Sequence, residues 1–130
     1  MSITNKLRKE YETFCKLGGG NFSDKLGLEC SKFGYTIKIN YLDLGEDKIN
    51  LNIQINSAIQ DFEVLSLKNV KILDVERLSQ LSENNNELSY YVLNIYLDIG
   101  ILSLKKDIKN NKIIISLKTG NIEYQSSVIF

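Results

Sequence analysis

The sequence predicts an α+β fold: an N-terminal amphipathic helix packed on a mostly antiparallel β-meander that closes as two layers or a sandwich. Three observations predict it. Apolar residues recur every three or four positions over residues 2–17, the period drops to two from Tyr35 onward, and turn-forming pairs separate the alternating runs.

The helix comes first. Ile3, Leu7, Tyr11, Phe14 and Leu17 share one stripe, and Lys6, Lys9, Glu12 and Lys16 take the opposite side. Ser2 is placed to cap the N-terminus, and Gly18-Gly19-Gly20 ends the helix because glycine adopts the left-handed conformation that a C-cap needs. Residues 21–34 read as a loop with a short strand around Leu26 to Cys30.

Tyr35, Ile37, Ile39 and Tyr41 then alternate with polar residues, as do Ile49, Leu51, Ile53 and Ile55. A three-residue loop at Gly45-Glu46-Asp47 sets Tyr41 against Leu51, Ile39 against Ile53 and Ile37 against Ile55, which keeps one face apolar. A two-residue turn at Glu46-Asp47 sets Ile39 against Gln54 and is rejected on that ground. From Ala58 to Asn86 two readings compete. Strands Phe62 to Leu67 and Val70 to Val75 join at Lys68-Asn69, or Asp74 caps a short helix carrying Val75, Leu78 and Leu81, broken at Asn84-Asn85-Asn86.

Tyr90 to Leu97 is apolar or aromatic on both faces, with Tyr91, Leu93, Ile95 and Leu97 on one and Tyr90, Val92, Asn94 and Tyr96 on the other. Asn110-Asn111 suits a type I′ turn, because asparagine tolerates positive φ, and pairs Ile108 with Ile113 and Leu104 with Leu117. A turn at Thr119-Gly120 pairs Leu117 with Ile122 and Ile115 with Tyr124. Both registers put Leu104, Ile108, Ile113, Ile115, Leu117, Ile122 and Tyr124 on one face, which Val128 and Phe130 continue.

The composition narrows the function. With 130 residues, 43% apolar and 25% charged, the chain reads as one folded domain spanning residues 1–130. Sixteen basic residues balance sixteen acidic ones, so no overall field draws in nucleic acid or an anionic membrane. No apolar run approaches the roughly 18 residues of a membrane span, and the first residues lack an export signal, which points to a cytoplasmic protein or one assembled from the cytoplasm. On that basis Cys15 and Cys30 read as reduced thiols. Fourteen lysines against two arginines, with much isoleucine and asparagine, suggest an AT-rich coding sequence such as that of a low-GC bacterium or phage.

There is no histidine. That removes the usual base of serine and cysteine nucleophile sites and the commonest transition-metal ligand, so no catalytic residue, metal site or cofactor site is assigned. The glycine run follows a helix instead of opening one and lacks the ending of a phosphate loop. Glu10 lies near the apolar stripe, where burial would fit a carboxylate for acid–base work, but the stripe's edge also reaches water. Asp43, Glu46 and Asp47 cluster at a turn without calcium-loop spacing, and Asp61 and Glu63 alternate on a strand. Lys105, Lys109, Lys112 and Lys118 gather opposite the core face, though Asp107 interrupts them and edge lysines commonly guard against aggregation, so nucleic acid is not the expected partner.

Because one helix covers one side of a sheet, Tyr90, Val92 and Tyr96, with Ile114 beside them, form the candidate interaction surface. The expected function is therefore a non-enzymatic interaction or structural subunit acting through a sheet surface, with a protein partner or a second copy. Adaptors, immunity-type proteins and components of phage or secretion assemblies are of this kind. The alternative is a small apolar-ligand binder, or an enzyme without histidine, with its pocket between helix and sheet.

Overall fold

The computed structural model describes residues 2–81 and 87–129. Helix α1 spans Ile3–Leu17, and nine strands follow: β1 (Asn21–Ser23), β2 (Leu28–Lys32), β3 (Tyr35–Gly45), β4 (Lys48–Ser57), β5 (Asp61–Leu81), β6 (Leu88–Leu97), β7 (Gly100–Asp107), β8 (Lys112–Thr119) and β9 (Ile122–Ile129). Each strand pairs antiparallel with the next, so sheet order repeats chain order from β1 to β9. The helix-then-meander expectation holds, with most of the chain in the sheet.

Ser2 Oγ accepts a hydrogen bond from the Asn5 backbone N–H at 3.2 Å, as an N-cap should. The buried face of α1 is Thr4, Leu7, Tyr11, Phe14 and Cys15, whereas Leu17 is exposed. The stripe turns toward Cys15 because that residue is bonded to Cys30 of β2. The reading of two reduced thiols is thus corrected: helix and strand lie with these Cα atoms 5.6 Å apart, within the span of a disulfide. Two glycines make the crossing possible. Gly19 takes φ +78° in the turn out of the helix, and a Cβ on Gly20 would lie 2.8 Å from both cysteine sulfurs.

The β3–β4 pairs are those expected, Tyr41 with Leu51, Ile39 with Ile53 and Ile37 with Ile55. The turn is not. Glu46 and Asp47, both at positive φ, form the two-residue turn that was rejected, and a bulge between Asp43 and Gly45 absorbs Leu44 and restores the register. Asp43 Oδ1 accepts from Gly45 N–H at 2.9 Å inside that bulge.

Between Asp61 and Leu81 the chain forms neither two strands nor a helix but one strand of 21 residues. β4 pairs with its first half and β6 with its second. Asn69, read as a turn, sits inside the strand at φ +55° with its N–H donated to Asn50 Oδ1. A bulge at Leu73 puts Ile72 and Val75 on the same buried side, whereas Leu78 and Leu81, which share the spacing of three with Val75, are exposed, so that spacing marks no helix face. Asp74 caps nothing. It accepts from Lys6 of α1 at 2.6 Å, and that bond holds its carboxyl below the usual range. Asn84-Asn85-Asn86 lies outside the described residues.

Both C-terminal hairpins are displaced by two residues from expectation. Leu104 pairs with Ile115 and Leu102 with Leu117, while Leu117 pairs with Tyr124. In the first hairpin the Asp107 carboxylate accepts from the backbone and side-chain amides of Asn110, which builds a longer loop with only Asn111 at positive φ. Ile108 falls in that loop, exposed. In the second, the turn is Gly120-Asn121, with Gly120 at φ +56°. A shift of two preserves the faces, so Leu104, Ile113, Ile115 and Leu117 are buried as predicted. Ile122 and Tyr124 share their side but stay exposed, and Phe130 lies outside the described residues.

One buried cluster draws on both halves of the sheet, with Ile37, Ile39, Ile49, Leu51, Ile53 and Ile55 from the first and Leu93, Ile95, Leu102, Leu104, Ile113 and Ile115 from the second. Leu7, Tyr11 and Phe14 of α1 join it, and the helix lies against β1, β2, β5 and β6. Tyr11 is fully buried and donates its hydroxyl to the Ile37 carbonyl at 2.6 Å, and burial pushes its pKa strongly upward.

Candidate functional site

Tyr90, Val92 and Tyr96 project from the face of β6 turned away from the main cluster, as predicted. Along β6 they belong to separate cross-strand rows. Val92 lies between Leu78 of β5 and Lys105 of β7, and Lys105 in turn pairs with Ile114 of β8. Val92 is only 2% exposed yet lies outside the main cluster. Residues 72–81 run beside β6 as its neighbour in the sheet. Tyr90, Tyr96 and Ile114 are half-buried, and the Tyr96 hydroxyl donates to Glu76 at 3.3 Å.

The polar candidates disperse. Glu10 accepts from Arg77 of β5 at 2.5 Å, an ion pair between helix and sheet. Glu63 accepts from the Asn52 side chain. Lys105 and Lys118 share a face, with the row of Ser103 and Ser116 between them, while Lys109 is in a loop. Among the described residues no group of three or more Cys, Asp or Glu is placed to hold a metal ion.

The structure brings together a different set at the C-terminal end of α1. A cleft of about 240 Å³ opens there, walled by Leu17 and Gly18 of the helix end, Cys30, Lys32, Phe33 and Ile37 of the β2–β3 hairpin, and Tyr91, Lys106, Ile108, Lys112 and Ile113 of the second half. Lys106 is the unusual member. Its neighbours on the same side of β7 are Leu102 and Leu104, so alternation turns it inward, and it is 8% exposed. Its Nζ donates to the carbonyls of Phe14 at 2.7 Å and Cys15 at 2.9 Å and lies 4.7 Å from the centre of the Phe14 ring. These carbonyls lie in the last turn, at the negative end of the helix dipole, and that of Cys15 also accepts from the backbone N–H groups of Gly18 and Gly20. Lys32 does the same for Gly18 at 2.5 Å. Burial, with a smaller push from Lys32, lowers the Lys106 pKa to about 8. A lysine in the inward register of an apolar strand was the sequence signal for this site.

A second feature is the outer edge of the sheet. Among the described strands β9 has one neighbour, β8, and pairs with it without a bulge. Its eight residues contain no lysine, arginine or proline. Tyr124 is 61% exposed, and beside it a groove of about 220 Å³ runs between Val64 and Leu65 of β5 and Ile115, Leu117 and Ser126. The chain matches no protein-family model, no curated protein and no solved structure, so geometry alone carries the reading of these features.

Proposed function

We propose that the protein is a non-enzymatic structural subunit, a two-layered helix-on-sheet module that assembles through the free edge of β9 with a second copy of itself. The observation that carries this is an eight-residue regular edge strand without lysine, proline or bulge, carrying exposed Ile122 and Tyr124. Antiparallel self-pairing about Gln125 sets Ile122 opposite Val128, Glu123 opposite Ser127 and Tyr124 opposite Ser126. The one charge of the strand therefore never meets its own copy, as a two-fold interface requires. The same operation extends the outer face that carries Tyr90, Val92, Tyr96 and Ile114 across both copies.

Light scattering over a wide concentration range tests the reading. A dimer is expected, and Tyr124→Lys combined with Gln125→Lys should return it to monomer with an unchanged circular dichroism spectrum. A strict monomer at every concentration, or a dimer that the double variant leaves intact, would sink the proposal.

A further inference from the structure

We infer that the cleft at the C-terminal end of α1 binds a small amphiphile bearing a carboxylate. Its head meets Lys106 and Lys32 on the inner wall, and its apolar body lies against Leu17, Phe33 and Ile108 at the mouth. This site is separate from the β9 edge and does not depend on assembly.

The charge at the cleft is unbalanced. Lys106, Lys32 and Lys112 line it with a single carboxylate, Asp107, which is occupied by Asn110. Among the described residues Lys106 makes no ion pair, and its hydrogen-bond acceptors are neutral carbonyls. A buried ammonium without a counter-ion is costly, and an incoming carboxylate supplies the missing charge where little water competes.

The mouth has the opposite character. Leu17 and Ile108 are exposed, and Phe33 is 74% exposed at the tip of the β2–β3 hairpin. Phe33 also has φ +52°, in a two-residue turn with Gly34 where asparagine or glycine is the unstrained choice. A bulky residue held at positive φ marks a position where something other than turn stability sets the side chain. Here the ring stands at the mouth of the cleft, 4.9 Å from Lys32 Nζ. An apolar lip above a cationic floor matches an amphiphile that enters head first. The volume of about 240 Å³ lies just below the range of roughly 300–1,000 Å³ usual for ligand pockets, which favours a short chain.

Calorimetric titration of the intact oxidised protein at neutral pH tests this with four probes: octanoate, octanol, octylamine and acetate. Octanoate should bind at least tenfold more tightly than octanol or octylamine, which share its tail, and than acetate, which shares its head. Lys32→Gln should weaken octanoate binding about tenfold. Phe33→Asn, which relaxes the turn, should weaken it severalfold while the melting temperature holds or rises. The proposal is overturned if octanoate gives no saturable heat, if octanol or acetate equals it, or if both variants bind it as wild type does.

Discussion

The two edges of this sheet meet water by different means. At one end β1 is three residues long. Its Phe22 packs edge-on against Tyr11 beneath the guanidinium of Arg8, and the next strand is tied to the helix through Cys15–Cys30. At the other end β9 is a full eight-residue strand with a regular register and exposed apolar side chains. The first edge is closed by local devices, namely shortness, a covering helix and a covalent tie. The second has the features of a strand that is completed by something else.

The largest effect that would separate the two ends is loss of the covalent tie. Replacing Cys15 and Cys30 by serine opens a loop of 15 residues and should cost about 3 kcal/mol in denaturant unfolding. Hydrogen exchange should rise first in β1 and β2, with β7 and β8 protected as before. Equal loss of protection at both ends would show that the disulfide stabilises the whole fold and not one corner.

Next comes the lysine at the helix end. Its folded pKa of about 8 lies below the ordinary 10.5, so between those values the unfolded chain holds the proton and the folded chain does not. Stability therefore rises as pH climbs through this window, while below pH 8 both states are charged and the burial penalty is fully present. From pH 8 to 9.5 the gain should be roughly 1.5 kcal/mol, and Lys106→Met should flatten it. A wild-type profile without that rise would mean that Lys106 keeps its proton at ordinary affinity.

The smallest effect on folding belongs to the open edge. As a monomer, the Tyr124→Lys, Gln125→Lys variant should lie within about 0.5 kcal/mol of wild type, because both changes are at exposed positions. Destabilisation well beyond that would mean that Tyr124 belongs to the core of the subunit rather than to its contact surface.

The sequence carried the faces of the strands better than their pairings. Alternation fixes register only to the nearest two residues, so both C-terminal hairpins could slide by two without moving Leu104, Ile113, Ile115 or Leu117 to the wrong side. On β3 and β4 the apolar pattern gave correct partners although the turn was misread, because an inserted Leu44 offsets the shorter loop. Bulges hid β5: irregularities opposite Asn50, at Val64 and at Leu73 break its alternation, and the three-residue spacing of Val75, Leu78 and Leu81 marks no common buried face. The cleft was half visible. Lys106 breaks the inward series Leu102, Leu104 in plain sight, but its partners, two carbonyls 91 and 92 residues earlier, follow only from the fold, as does the Cys15–Cys30 bond.

Those two hydrogen bonds also bear on how the chain folds. Every strand in the meander finds its partner across a connection within its own neighbourhood of sequence, so each pairing step closes a short loop at small entropic cost. The bonds from Lys106 to the helix end span most of the chain and close only when β7 and α1 have both taken shape. On this topology the clasp is a late event in folding and an early one in opening. It should govern how long the native state lasts more than how fast it is reached.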